Sequence, residues 1–163
     1  MNKRQFFLAG ITALLFLTGG CKKSSDNTCG YSDAIVTIPP SEAAALQAYV
    51  SANRPAAIQH SSGLYYEMIT TGTGASPASL CSNVTVRYSG YLTNGTKFDE
   101  NLTGATFALG QLIVGWQKGL PLAKTGGTIN LYIPPSLGYG ANQVGSIPPN
   151  SILVFSIQLV AVQ

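Results

Sequence analysis

An α+β fold resting on an antiparallel sheet or partial barrel is predicted for this 163-residue chain by three observations. Short runs of alternating, β-branched and aromatic residues recur between Gly, Pro and Asn turn signals, which is the texture of strands. Among those runs, Leu112–Gly119 is the only plausible helix, and it is short. Ahead of them, the stretch 41–53 carries Leu46, Tyr49 and Val50 at helical spacing.

Composition narrows the function classes. Charged residues make up 9% and hydrophobic residues 45%, a core-forming balance that suits one domain with short appendages. The net charge of +3 includes Lys3 and Arg4, and residues 21–163 carry only +1. No basic cluster remains there to hold a polyanion, so nucleic acid is set aside as a partner.

The first twenty residues read as an export signal. Lys3-Arg4 precede a 12-residue apolar run, Phe6–Leu17, and Thr18-Gly19-Gly20 place small residues ahead of Cys21. That run falls short of the ~20 residues needed to span a bilayer. Small residues followed at once by cysteine are similar to a bacterial lipobox, whose cysteine is acylated and becomes the mature N-terminus. Thr18 departs from the pattern, standing where an aliphatic residue is usual. Acyl chains on Cys21 would anchor the protein to a cell-envelope membrane, in the periplasm or at the outer membrane, by ~0.8 kcal/mol per buried methylene. Residues 21–40 would then serve as a tether, polar over Lys22–Asn27.

With Cys21 assigned to lipid, Cys29 and Cys81 remain as an even pair in a compartment that permits disulfides, and a bridge between them is expected. Closing a loop of about 52 residues would stabilise the fold by roughly 4 kcal/mol in the chain-entropy model. Two distant cysteines and a lone His60 do not make a four-ligand site, so no metal or other cofactor is expected.

The elements follow in order. Pro39-Pro40 stop anything earlier, Ser41 is placed to cap a helix through Glu42–Val50, and Asn53-Arg54-Pro55 end it. Residues 41–61 thus form a short helical extension, about three turns that need packing to persist. The Glu42 carboxylate suits the helix dipole there. From Gly63 the pattern turns to β: Leu64–Ile69 reads as a strand, broken by Gly72, Gly74 and Pro77. Gly72-x-Gly74 lacks the third glycine and following helix of a dinucleotide loop.

In the next strand, Val84–Leu92, the face formed by Val84, Val86, Tyr88 and Gly90 is apolar, while Thr85, Arg87, Ser89 and Tyr91 form a largely polar one. Asn94-Gly95 predicts a type I′ hairpin turn with positive φ at both residues, returning Phe98-Asp99 beside Tyr88. Thr106–Leu109, Thr128–Ile133 and Ile152–Val162 complete the strands.

Aromatics mark the candidate site. Tyr88 and Phe98 flank one turn, and the lone Trp116 sits in the short helix between Gly115 and Gly119, where small residues permit close approach to a sheet. Tyr139 and Ile147 lie in a loop ending at Pro148-Pro149, followed by a strand with Phe155. Such residues could equally fill a core or line a pocket.

Together, VRYSGYLTNGTKFD, LGQLIVGW, LGYG, IPPN and LVFSIQLVAV, in this order and at these spacings, resemble the FKBP-type peptidyl-prolyl cis-trans isomerases over about residues 62–163. The resemblance implies a curved antiparallel sheet of five or six strands, a half-barrel wrapped around one short helix, with a shallow apolar pocket between them. It implies Trp116 as pocket floor, and Tyr88, Phe98, Leu112, Ile113, Phe155 and Ile147 as walls. Tyr139 and the Ile113 amide would bond carbonyls of a bound proline-containing peptide, and Asp99 would lie beside the twisting amide.

Four departures fall at the rim. Glu100-Asn101-Leu102-Thr103 supply no arginine to pair with Asp99, and Ala105 stands near a place where an aromatic is frequent. The loop from Tyr139 to Ile147 is about one residue shorter than in well-known members, and Ser146 precedes Ile147 where an apolar residue is common.

The function implied is isomerisation of X–Pro bonds in exported proteins, or alternatively a non-catalytic chaperone or peptide-binding module using the same pocket. A structural envelope lipoprotein is a third reading. The 41–53 helix does not resemble the long dimerisation arms of some periplasmic relatives, so a monomer is expected.

Overall fold

The computed structural model describes residues 30–163. Helix α1 (Pro40–Asn53) is followed by β1 (Ile58–Gln59), β2 (Tyr65–Thr70), β3 (Asn83–Leu92), β4 (Lys97–Ala108), α2 (Val114–Gly119), β5 (Thr128–Ile133) and β6 (Leu153–Val162). The six strands form one antiparallel sheet in the order β1-β2-β5-β6-β3-β4. The expected signal peptide, Cys21 and Cys29 lie outside the described residues.

Alternation decides which face is buried. Ile129, Leu131 and Ile133 on β5, Leu153, Phe155, Ile157 and Leu159 on β6, and Val84 and Val86 on β3 all enter one core with Trp116 and Leu120. Helix α2 lies on that side. An added Cβ at Gly115 would sit 2.6 Å from Ile133 and one at Gly119 2.5 Å from Leu131, so both glycines are what lets this helix touch the sheet. On the opposite face, Leu46 and Val50 of α1 cover Tyr132 of β5 and make a second, smaller core.

Several local expectations are corrected. Ser41 does not cap α1, because the helix begins two residues earlier than expected: Pro40 takes the first helical position, where its missing N–H costs nothing. The helix expected at Leu112–Gly119 starts only at Val114, after a 3-10 turn over Leu109–Gln111. The strand expected at Thr106–Leu109 is the end of the twelve-residue β4. Asn94-Gly95 is not a type I′ turn: Gly95 has φ 85°, but Asn94 keeps negative φ and uses its side-chain oxygen to accept the Thr96 N–H at 2.9 Å.

The segment before α1, counted above with the tether, lies against the domain where it is described. Tyr31 packs over Gly110, Ile38 packs over Gly63, and Asp33 pairs with Lys118. Cys81 is disulfide-bonded.

Candidate active site

A cleft of about 200 Å³ opens on the α2 side of the sheet. It is lined by Tyr88, Asp99, Phe107, Leu112, Ile113, Trp116, Tyr139 and Phe155. Each arrives for a local reason. Tyr88 continues the buried face of β3, and Phe155 that of β6. Asp99 and Phe107 stand directly opposite Gly90 and Val84, so cross-strand pairing turns both toward the same side. Between them β4 bulges at residues 102–104, opposite Arg87, where Asn101 accepts the Gly104 N–H at 2.8 Å. Leu112 and Ile113 form the bend that leads into α2, and Trp116 lies in its first turn.

The rings form one edge-to-face cluster. Trp116 meets Tyr88 at 5.2 Å and Phe155 at 5.1 Å between centroids, with interplanar angles of 83° and 87°. Phe98 meets Phe155 at 5.4 Å and 88°. Such contacts add about 0.5–1.5 kcal/mol each beyond area burial, so the walls are stiff without a ligand. Trp116 is only 4% exposed. Its indole N–H finds no acceptor among the described residues, so the floor is shaped by packing rather than by polar contacts.

Polar groups are few and directed. The Tyr88 hydroxyl donates to the Asp99 carboxylate at 2.8 Å. Burial, then that hydrogen bond and the Asp99 charge, push the Tyr88 phenol up to about 12. Burial, then the Asp99 charge, likewise raise Tyr139 above its ordinary value. Both phenols therefore stay protonated donors at neutral pH. The Ile113 residue is the N-cap of α2, so its own N–H lies outside the helical ladder.

Of the residues named from sequence, Tyr88, Asp99, Leu112, Ile113, Trp116, Tyr139 and Phe155 are brought together around the cleft, whereas Phe98 and Ile147 do not line it. Phe98 is the extra residue of a bulge between the Gly90–Asp99 and Tyr91–Lys97 pairs, and its ring crosses Gly90 to support Phe155. Ile147 pairs with Val144 across a tight turn containing Gly145 at φ 55°, and is buried in the main core. Phe107 was the residue missed. Its alternation with Ala105 on the buried face of β4 was the available signal, obscured because the bulge interrupts the strand pattern just before it.

One short helix packed on a six-stranded antiparallel sheet, with an aromatic cleft beside it, is the arrangement that the resemblance implies for a prolyl-isomerase domain. The family model for FKBP-type peptidyl-prolyl cis-trans isomerase matches residues 74–160. The chain belongs to that family. It is 44% identical over 106 residues to the FKBP-type peptidyl-prolyl cis-trans isomerase FkpA of Buchnera aphidicola subsp. Schizaphis graminum, covering 63% of this chain and 42% of that protein. It is 41% identical over 122 residues to the outer membrane protein MIP of Legionella longbeachae, covering 71% and 52%.

Among solved structures, FkpA from Escherichia coli aligns with a TM-score of 0.68 at 38% identity, covering 76% of this chain and 60% of that one. A peptidyl-prolyl cis-trans isomerase from Pseudomonas syringae aligns with the same TM-score at 32% identity, covering 78% and 98%. The chain spans about two-fifths to half the length of the curated relatives it matches.

Proposed function

We propose that this protein is a peptidyl-prolyl cis-trans isomerase acting on X–Pro bonds of unfolded or exported proteins without covalent chemistry. The observation that carries the reading is the cleft itself: an aromatic enclosure over Trp116 with Tyr139 and Asp99 at its edge. Resonance opposes rotation of the X–Pro amide with a barrier of ~18–20 kcal/mol. At ~20 kcal/mol the uncatalysed rate is on the order of 10⁻² per second. The twisted amide has lost that resonance and its charge separation, so an apolar cleft disfavours the planar ground state relative to it.

In this reading the proline ring rests on Trp116 between Tyr88 and Phe155. The Tyr139 hydroxyl and the Ile113 N–H hold carbonyls on either side while the intervening bond turns. Asp99 orients the Tyr88 hydroxyl, and Phe98 keeps Phe155 in place. Leu112 extends the apolar wall, and Ile147 supports from the core the flap, the chain that runs between β5 and β6. A total of ~4–6 kcal/mol from these effects gives an acceleration of roughly 10³–10⁴.

Residues 62–163 form the isomerase domain in this scheme, 41–61 its helical extension and 1–20 an export signal. Acylated Cys21 anchors a monomer to an envelope membrane, and Cys29 is the partner of Cys81. A relative carrying the name outer membrane protein supports the envelope assignment. Cys21→Ser should release the protein into the soluble fraction, and Cys29→Ser should expose the Cys81 thiol to titration. Retention on the membrane in the first case, or an unreactive Cys81 in the second, would remove those assignments.

A coupled assay of cis-to-trans conversion in a short X–Pro peptide tests the activity. Tyr139→Phe removes one hydrogen bond and should lower kcat/KM by about 2- to 10-fold. Phe98→Ala should lower it further, and Asp99→Leu should show whether the carboxylate contributes. A wild-type rate equal to the uncatalysed one would sink the enzyme reading. Suppression of aggregation by that same inactive protein would identify a chaperone module instead.

A further inference from the structure

The cleft's flap is gripped from the far side of the sheet. Between β5 and β6 the chain passes through a 3-10 turn, Pro135–Leu137, and reaches Tyr139 two residues later. That turn begins with Pro134-Pro135, neither of which has an N–H, so Ser136 supplies its first donor. The acceptor comes from 94 residues away: Glu42, in the first turn of α1, takes the Ser136 N–H on Oε2 and the Ser136 hydroxyl on Oε1, both at 2.8 Å. Two charge-assisted bonds from one carboxylate to one residue fix orientation as well as distance.

The rest of the flap hangs from the same turn. Pro135 O accepts the N–H groups of Gly138 and Gly140, each at 2.9 Å, and Gly140 O accepts the Asn150 N–H at 2.8 Å. Pro135, Asn150 and Ile152, at the two ends of the flap, face Pro39, Glu42 and Ala45 of the helical segment across a narrow cleft. The helix itself is seated on the sheet by Leu46 and Val50 against Tyr132 of β5, three residues before the turn begins at Pro135.

We propose that Glu42 is a positioning residue for the peptide cleft: by holding Ser136 it sets the 3-10 turn that presents Tyr139, and so couples the helical extension to substrate affinity. The inference rests on the isomerase reading above. Loosening the turn weakens Tyr139's contact equally in bound substrate and transition state, which raises KM and spares kcat.

The test compares wild type, Glu42→Ala, Glu42→Gln and Ser136→Ala on a tetrapeptide with a single X–Pro bond, alongside amide hydrogen exchange. Glu42→Ala should raise KM by about three- to tenfold with kcat changed less than about twofold. Glutamine keeps both contacts, its amide oxygen accepting the Ser136 N–H and its NH2 donating to the Ser136 hydroxyl, so Glu42→Gln should restore KM to within about twofold of wild type. Exchange at the Gly138 and Gly140 amides should quicken in Glu42→Ala and recover in Glu42→Gln. If Glu42→Ala does not fold, Ser136→Ala, which keeps the N–H bond, should still raise KM measurably.

A lowered Tm with KM and both exchange rates unchanged would overturn the proposal, as would a glutamine variant no better than alanine. A wild type without catalysis would instead overturn the isomerase reading, and the exchange rates would still decide whether Glu42 holds the flap.

Discussion

Gly90 shows how tightly single residues set the cleft. A Cβ there would lie 2.6 Å from Phe98 and 2.8 Å from Phe155, so only a residue without one lets Phe98 cross the strand and brace Phe155. Gly90→Ala is expected to cost about 1–3 kcal/mol through overpacking. The same displacement should lower kcat/KM, because Phe155 shares its other edge with Trp116. Equal stability and activity to wild type in thermal unfolding and the peptide assay would show that the rings relax freely. The alternation of β3 places Tyr88 and Gly90 on the buried face from sequence alone. The bulge at Phe98 is not visible there, because it depends on where the partner strand resumes its register.

At the scale of elements, legibility follows regularity. Strand β5 has the boundaries expected from sequence, since Ile129, Leu131 and Ile133 alternate without interruption. Strand β4 does not, because the polar run Glu100-Asn101 leads directly into the bulge at residues 102–104, where Gly104 has φ 110°, and propensity reads the whole stretch as a loop. Two-residue β1 carries too little pattern to register at all.

Helix α1 is legible as a helix, but its use is not. Glu42 looks sufficient as a dipole partner until Ser136 is brought beside it by the fold. Leu46 is fully buried, so Leu46→Ala should destabilise by about 2–5 kcal/mol, measured by denaturant unfolding. A loss below 1 kcal/mol would mean that α1 rests on the sheet without contributing to its stability.

For the whole molecule, pH dependence should be plain. The Tyr88 phenol rises from an unfolded value of 10 to about 12, so its neutral form is the one the fold favours. The stability it contributes is fully present below pH 10 and is lost as pH rises toward 12. Tyr139 shifts in the same direction. Activity should therefore be level across pH 6–9, with unfolding easier only in strong alkali. A steep rate change near neutrality in the peptide assay would mean that another group titrates in the cleft.

The strand order carries a different kind of consequence. Strands β1, β2 and β5 form one flank and β3 and β4 the other, and in the sheet only β6 joins them. One flank leads into Tyr139, the other bears Tyr88, Asp99 and Phe107, and Phe155 is on the joining strand. Until the chain is made through residue 162 and β6 slots between its neighbours, there are two half-sheets and no cleft. A newly made copy of this nine-proline chain thus folds without help from its own cleft, the very part that in the proposed isomerase reading would assist another chain.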